Sequence, residues 1–203
     1  IAWESVDGAR LRLASFRVSP GLVDATSGAA TLRPTPVGYA ASLFSYWRGA
    51  IRLKFSLAKT DLHSGRLLIV WSTSNVIPII AETAFLPRIV WDIRESMEFT
   101  VCVPYISNTP WKKVDMHNAV IGNNSIDNSL GYIHVFVQNS LRHPQATTVA
   151  NVIINVWHGA CHDFMLSGPA FQTYVPTEEL TDNPVIPPAN KNKNNSTDNP
   201  VIP

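Results

Sequence analysis

The chain has 203 residues and a mass of 22.4 kDa, the length of one domain able to bury roughly 70% of its unfolded surface without disulfide or metal staples. Sixteen Lys and Arg against fifteen Asp and Glu leave a formal net charge of +1, which argues against a strongly basic nucleic-acid module and against an electrostatic membrane binder. No apolar run nears the roughly 20 residues that cross a bilayer, and Ile1, Ala2, Trp3 and Glu4 show no basic start ahead of an apolar stretch, so neither a membrane anchor nor a signal peptide is expected.

Charged residues make up 15% of the chain and hydrophobic ones 45%, against roughly 25% charged in an average soluble domain. A compact monomer of this mass exposes about 9,400 Å², a large surface for so few charges to keep soluble. Cover by other subunits explains the shortage, because interface cores are poor in charge and rich in aromatics. The two cysteines, Cys102 and Cys161, are too few for a disulfide scaffold and form no CxxC pair, so both are expected as buried, reduced thiols.

Taken in chain order, the pattern is β almost throughout, with apolar residues at alternate positions and β-branched and aromatic types dominant. One or two strands fall within residues 9–18. Residues 39–47 break the pattern: Tyr39, Leu43, Tyr46 and Trp47 have helical spacing and Gly49 ends the run, which predicts one or two helical turns. In residues 50–58, Ile51, Leu53, Phe55 and Leu57 alternate with Arg52, Lys54 and Ser56, the mark of an antiparallel strand with one buried face. A turn carrying Asp61, His63, Ser64 and Gly65 leads to the unbroken apolar run 66–71, which suits a strand buried on both faces. A second short helix is expected near 79–85, then strands at 88–93, 97–104, 131–139 and 149–158. Turn residues separate them, notably Asn108, Thr109 and Pro110, the polar run 122–128, and His143 with Pro144. Several short strands without a long helical period predict an all-β sandwich.

The last 28 residues, 176–203, hold six prolines, six asparagines and no aromatic residue. They have too little apolar material to fold alone and read as an extended tail. Thr-Asp-Asn-Pro-Val-Ile-Pro occurs at 181–187 and again at 197–203. A duplicated spacer is the plain reading, and a short segment that docks twice on neighbouring subunits is the sharper one.

No catalytic or metal-binding constellation stands out. Trp157, His158, Gly159, Ala160, Cys161 and His162 place imidazole and thiolate groups close together, but on a continuing strand Cys161 points away from His158 and His162, so at most two ligands converge. His63 reads as a turn residue and His134 as a packed or interfacial imidazole, since no His-x-His with a following Glu provides a cupin-type ligand set. There is no Gly-x-Ser-x-Gly, no glycine-rich phosphate loop and no protease-like cysteine signature. Sequons at Asn123, Asn194 and Asn195 are expected to be unused. The pairs Lys112 with Lys113 and Lys191 with Lys193 are expected to be solvated rather than to bind RNA.

Two segments together match a known pattern. Phe44-Ser-Tyr-Trp47-Arg48-Gly49-Ala-Ile51-Arg-Leu-Lys-Phe55, followed by Thr60-Asp-Leu-His63-Ser-Gly65-Arg66-Leu67-Leu-Ile-Val-Trp71, resembles the central strand pair of picorna-like virus capsid proteins, those of the dicistroviruses and iflaviruses above all. Val90-Trp91-Asp92, Phe99 to Ser107 with its Pro104-Tyr105-Ile-Ser107 exit, Gly131 to Asn139 and Val152 to Trp157 resemble the strands that follow, and the likeness runs from about residue 9 to 170. The resemblance implies an eight-stranded antiparallel jelly-roll sandwich over residues 1–175 with the tail 176–203 beyond it. It implies a non-enzymatic structural subunit without cofactor or metal, assembled in the host-cell cytoplasm with other capsid proteins into the icosahedral shell of a virion that encloses genomic RNA. A host receptor is a further partner that it allows.

Trp47, Trp71, Trp91, Trp111 and Trp157 are the candidate anchors, at an interface or in the core. The alternative function is a jelly-roll module that binds a small ligand or carbohydrate. In the resembled family the first strand pairs with the last, here 149–158. That first strand is expected to be missing, leaving an open apolar edge on which a lone recombinant copy aggregates. The family's maturation cleavage is sometimes linked to Asp-Asp-Phe, of which His162-Asp163-Phe164 is a partial echo that carries no catalytic role here.

Overall fold

Alternation between apolar and polar residues is enough to make Ile51–Ala58 a strand with one dry face: Ile51, Leu53, Phe55 and Leu57 are buried, while Arg52 and Ala58 are exposed. The computed structural model describes residues 1–24, 33–74, 76–115, 117–118, 128–144 and 151–169. Along the chain these form β1 (Ala2–Glu4), β2 (Arg12–Arg17), β3 (Leu22–Asp24), β4 (Arg33–Pro34), helix α1 (Pro36–Ala41), β5 (Phe44–Arg48), β6 (Ile51–Ala58) and β7 (Ser64–Ser72). A 3-10 turn (Glu82–Phe85) follows, then β8 (Arg88–Asp92), β9 (Glu98–Val103), β10 (Lys112–Lys113), β11 (His117–Asn118), β12 (Tyr132–Arg142), β13 (Asn151–Ala160) and β14 (Met165–Pro169).

Two four-stranded antiparallel sheets, ordered β1-β13-β6-β9 and β2-β12-β7-β8, form the sandwich. The first strand of each sheet pairs with its last, β1 with β13 and β2 with β12, and the chain passes from one sheet to the other between β1 and β2, β6 and β7, β8 and β9, and β12 and β13, which is the eight-stranded jelly roll. Leu53 and Phe55 from β6 meet Leu67 and Ile69 from β7 and Ile133, Val135 and Val137 from β12 in one core. The Phe55 ring bridges the sheets, 6.2 Å from Phe16 of β2 and 6.4 Å from Trp91 of β8. On the other face of β7, Leu68 and Val70 join Phe136, with Ile80 and Leu86 packed over them, so this strand is dry on both sides.

Three expectations need correction. The expected missing first strand is present: β1 pairs with Asn151, Val152 and Ile153 of β13, and the Ile1 amine donates to the Ile154 carbonyl at 2.9 Å. Farther along β13, α1 packs against the same edge, with Thr35 Oγ1 3.0 Å from His158 Nδ1. The edge is therefore blunted rather than left as a bare template. The helix expected over 39–47 lies earlier, at Pro36–Ala41, capped by Thr35, whose hydroxyl accepts the Gly38 N–H at 3.1 Å, with Pro36 opening its first turn. Phe44–Arg48 is a strand instead, held by β14 on one side and β10 on the other. Tyr39 and Leu43, which gave the helical spacing, are exposed, so no helical face was there to bury. Lys112, expected to be solvated, is buried where β10 pairs with Trp47 of β5.

The short helix near 79–85 is the 3-10 turn Glu82–Phe85. The tail 176–203 with its repeat, the loop residues 121–127, the sequons at Asn123, Asn194 and Asn195, and Lys191 with Lys193 lie outside the described residues.

Candidate functional site

The five tryptophans separate by depth. Trp47 is fully buried, its indole N–H donating to the Lys113 carbonyl at 3.2 Å and its ring stacked on Phe164 at 6.1 Å. Trp91 is buried beside Phe99 at 5.8 Å, with its N–H on the Ser96 carbonyl. Trp71 is half-buried against the core and donates to the Leu130 carbonyl at 2.8 Å. Trp111 is half-buried, with the Arg48 guanidinium 5.5 Å over its ring. Trp157 faces outward on β13, 64% exposed, on the same side of the strand as Ile153. Trp47, Trp71 and Trp91 thus satisfy the indole N–H internally, and Trp157 is the one of the five that is mostly exposed.

Large apolar side chains missed by the sequence reading are exposed on the other sheet and its connections. Phe85 is 91% exposed, and Val76, Ile79, Ile89 and Val90 stand out from the β7–β8 connection and from β8, an edge strand. Nothing in the run Glu82 to Phe85 marks this exposure, since an apolar residue at the end of a short helical turn reads as core. Trp3 was missed for the opposite reason. It fills the core at 0% exposure and anchors the strand that was expected to be missing.

The polar candidates resolve into structural contacts. His134 is buried in β12 with Nδ1 2.7 Å from the Ser15 hydroxyl, and its ring is flanked by Tyr132 and Phe136. Burial lowers its pKa from 6.5 to about 4, with Arg12 adding to the effect. His158 is likewise lowered to about 4 by burial, the Ser19 backbone working against the shift. His63 accepts the Thr60 N–H in its turn, and its ring lies 4.9 Å from that of His143. Asp163 accepts the Ala50 N–H with both carboxylate oxygens, at 3.1 and 3.2 Å, so the His162-Asp163-Phe164 triplet clasps the start of β6. Among the described residues no group of three His, Cys, Asp or Glu converges as a metal site.

The cysteines depart from expectation: Cys102 is exposed and Cys161 partly so, because both lie on the outward side of the sheet. A cavity of about 400 Å³ opens where Ser64, Arg66, Asp92, Arg94, Asn139 and Arg142 meet at one end of the sandwich. The Arg94 N–H and the Arg66 guanidinium, at 3.0 and 2.9 Å, hold the Asp92 carboxylate below its usual range. Its polar walls differ from the apolar lining of small-molecule sites, and nothing found supports the ligand-binding alternative.

Exposed apolar side chains on both sheets suit association with other proteins. Comparison with known proteins agrees. The family model for picornavirus capsid protein matches residues 28–137. The chain is 32% identical to the structural polyprotein of Cricket paralysis virus over 86% of its own length, and spans 21% of that polyprotein. It is 27% identical to the genome polyprotein of Salivirus A, of which it spans 9%. Among solved structures, black queen cell virus superimposes with a TM-score of 0.73 at 24% identity, covering 86% of this chain and 72% of that one. The Triatoma virus empty capsid gives 0.73 at 24% identity, covering 90% and 75%. With more than half its length matched by the family model and the jelly roll in place, the chain belongs to the picornavirus capsid protein family.

Proposed function

We propose that this chain is a structural, non-enzymatic subunit of the icosahedral shell of a small positive-strand RNA virus, associating with related jelly-roll subunits. The observation that carries the reading is the number of outward apolar side chains on both sheets: Phe85, Ile79, Val76 and Trp157 are each more than half exposed on a chain that is 15% charged. Leaving such side chains in water costs about 25 cal/mol per Å². Burying a standard interface of roughly 1,600 Å² recovers far more than any single contact supplies, although the net affinity is only the surplus over lost rigid-body and side-chain freedom.

A formal charge of +1 fits a shell wall that encloses genomic RNA without gripping it tightly through the folded domain. The virion is then the protein's place, the host cytoplasm the site of assembly, and an outward loop the surface for a receptor. The composition of residues 176–203 suits an extended arm reaching a neighbouring subunit. Co-expression with its sister subunits, followed by analytical ultracentrifugation and electron microscopy, tests the proposal. Closed icosahedral particles containing this chain support it, and a stable monodisperse monomer under the same conditions overturns it.

A further inference from the structure

Shell formation leaves a pair of reactive side chains unused on the outward face of the sheet β1-β13-β6-β9. Cys102 lies on β9 directly across from Arg52 of β6, and Cys161 follows β13, its N–H reaching the Ala50 carbonyl at 3.0 Å. Although 59 residues apart in sequence, the two thiols meet, Cys161 donating toward Cys102 with the sulfurs 3.0 Å apart. Arg52 contacts both sulfurs, which raises the pKa of its guanidinium. Both thiols are free, Cys102 exposed and Cys161 partly so. A disulfide bond spans about 2.05 Å, so closing the pair asks for about 1 Å of approach between side chains that already face each other.

We propose that Cys102 and Cys161 are an oxidisable dithiol that closes to an intrachain disulfide on meeting a disulfide oxidant of the oxidised-glutathione class. Cys102, the more exposed sulfur, attacks as thiolate, breaks the oxidant's S–S bond and releases one glutathione thiolate. Cys161 then gives up its proton and attacks the Cys102 sulfur, expelling the second glutathione thiolate and forming the new S–S bond. Two electrons pass to the oxidant, and the two cysteine protons end on the two released glutathiones through solvent. Arg52 stands where negative charge develops on sulfur in both steps. Burial, with the Cys102 contact behind it, pushes the Cys161 thiol up and keeps it protonated, which leaves the first attack to Cys102. The closed bond ties the end of β9 to the exit of β13 across β6. A reducing compartment leaves the pair open and an oxidising one closes it.

The test uses the full-length chain in its native assembly. Samples are incubated with oxidised or reduced glutathione, alkylated with N-ethylmaleimide in denaturant so that covered thiols also react, and digested without reductant for peptide mass mapping. The expected result after oxidised glutathione is a Cys102–Cys161 cross-linked peptide pair, lighter by two hydrogens than the separate peptides, in the majority of chains. After reduced glutathione both cysteines carry the alkyl group. Cys161→Ser is expected to stop at glutathione bonded to Cys102. Full alkylation of both cysteines after oxidised glutathione, or a stable mixed disulfide with the natural pair intact, overturns the proposal, and neither readout depends on the variant folding.

Discussion

Replacing Gly65 by alanine isolates one steric contact between the two sheets. A Cβ at Gly65 falls 2.5 Å from Trp3 Cη2 and 3.0 Å from Cζ2, closer than side chains tolerate. The indole cannot swing aside, because Trp3 is fully buried and its backbone is paired with Val152. Among the described glycines, positive φ occurs at Gly49, Gly131 and Gly168 and not at Gly65, so the substitution carries no backbone strain. Taken alone, the lower chain entropy of alanine would stabilise by about 0.4–1 kcal/mol, and overpacking a dry core costs about 1–3 kcal/mol. The collision wins, and Gly65→Ala is expected to lose about 1–2 kcal/mol, or roughly 2–8 °C in Tm. Trp3→Phe removes the two colliding atoms and also an indole N–H that finds no partner among the described residues. In that background Gly65→Ala should be neutral or stabilising, a coupling of about 1–2 kcal/mol. Urea unfolding of the four proteins, followed by far-ultraviolet circular dichroism, measures the cycle. Equal costs of Gly65→Ala in both backgrounds would refute the steric account, as would a stabilised single variant.

Acid should weaken the fold. His134 and His158 titrate near 4 when folded and near 6.5 when unfolded, so the unfolded chain binds more protons between those values and stability falls as pH drops through that window. His134 alone contributes a loss of about 2–3 kcal/mol by pH 4.5; urea midpoints at pH 7.5 and 4.5 read it, and a His134→Gln variant as acid-sensitive as the parent would exclude His134 as the cause. Trp157→Ser should leave monomer stability within about 0.5 kcal/mol and reduce particle yield at least several-fold, as measured by sedimentation; unchanged assembly would remove Trp157 from the interface. Asp163→Ala should cost about 1.5–3 kcal/mol by orphaning the Ala50 N–H, whereas Asp163→Asn keeps one acceptor and should cost less. Equal midpoints for the two in chemical denaturation would show that the clasp contributes nothing.

Much of the sandwich was legible because its strands obey a local rule. The alternation of Ile51, Leu53, Phe55 and Leu57 and the unbroken run ending at Trp71 became β6 and β7 with the burial they implied. Elements set by distant partners were less legible. Phe44–Arg48 has helix-like apolar spacing, yet β14, more than a hundred residues later, supplies the hydrogen bonds that make it a strand. Ala2–Glu4 is too short to show a period, and it exists because Asn151, Val152 and Ile153 present it with an edge and the core has a cavity the size of Trp3. Both misses are non-local pairing overriding a weak local signal.

The candidate surface was harder to read than the fold for a related reason. Trp47 and Trp157 are the same residue type, and each sits in a strand of alternating pattern, yet one has no exposed area and the other is 64% exposed. The difference lies in what covers each face. Phe164, where the chain turns back after β13, and Tyr105, where it leaves β9, fold over Trp47, whereas nothing among the described elements returns over the outward side of β13. Val152 and Ile154 set the parity of that strand inward, and parity then fixes Ile153 and Trp157 outward, since a one-residue slip would exchange all four. The outward apolar pair is therefore a consequence of a register that the core enforces. It persists whether or not a neighbouring subunit covers it, so a subunit docking on Ile153 and Trp157 would require no rearrangement of β13.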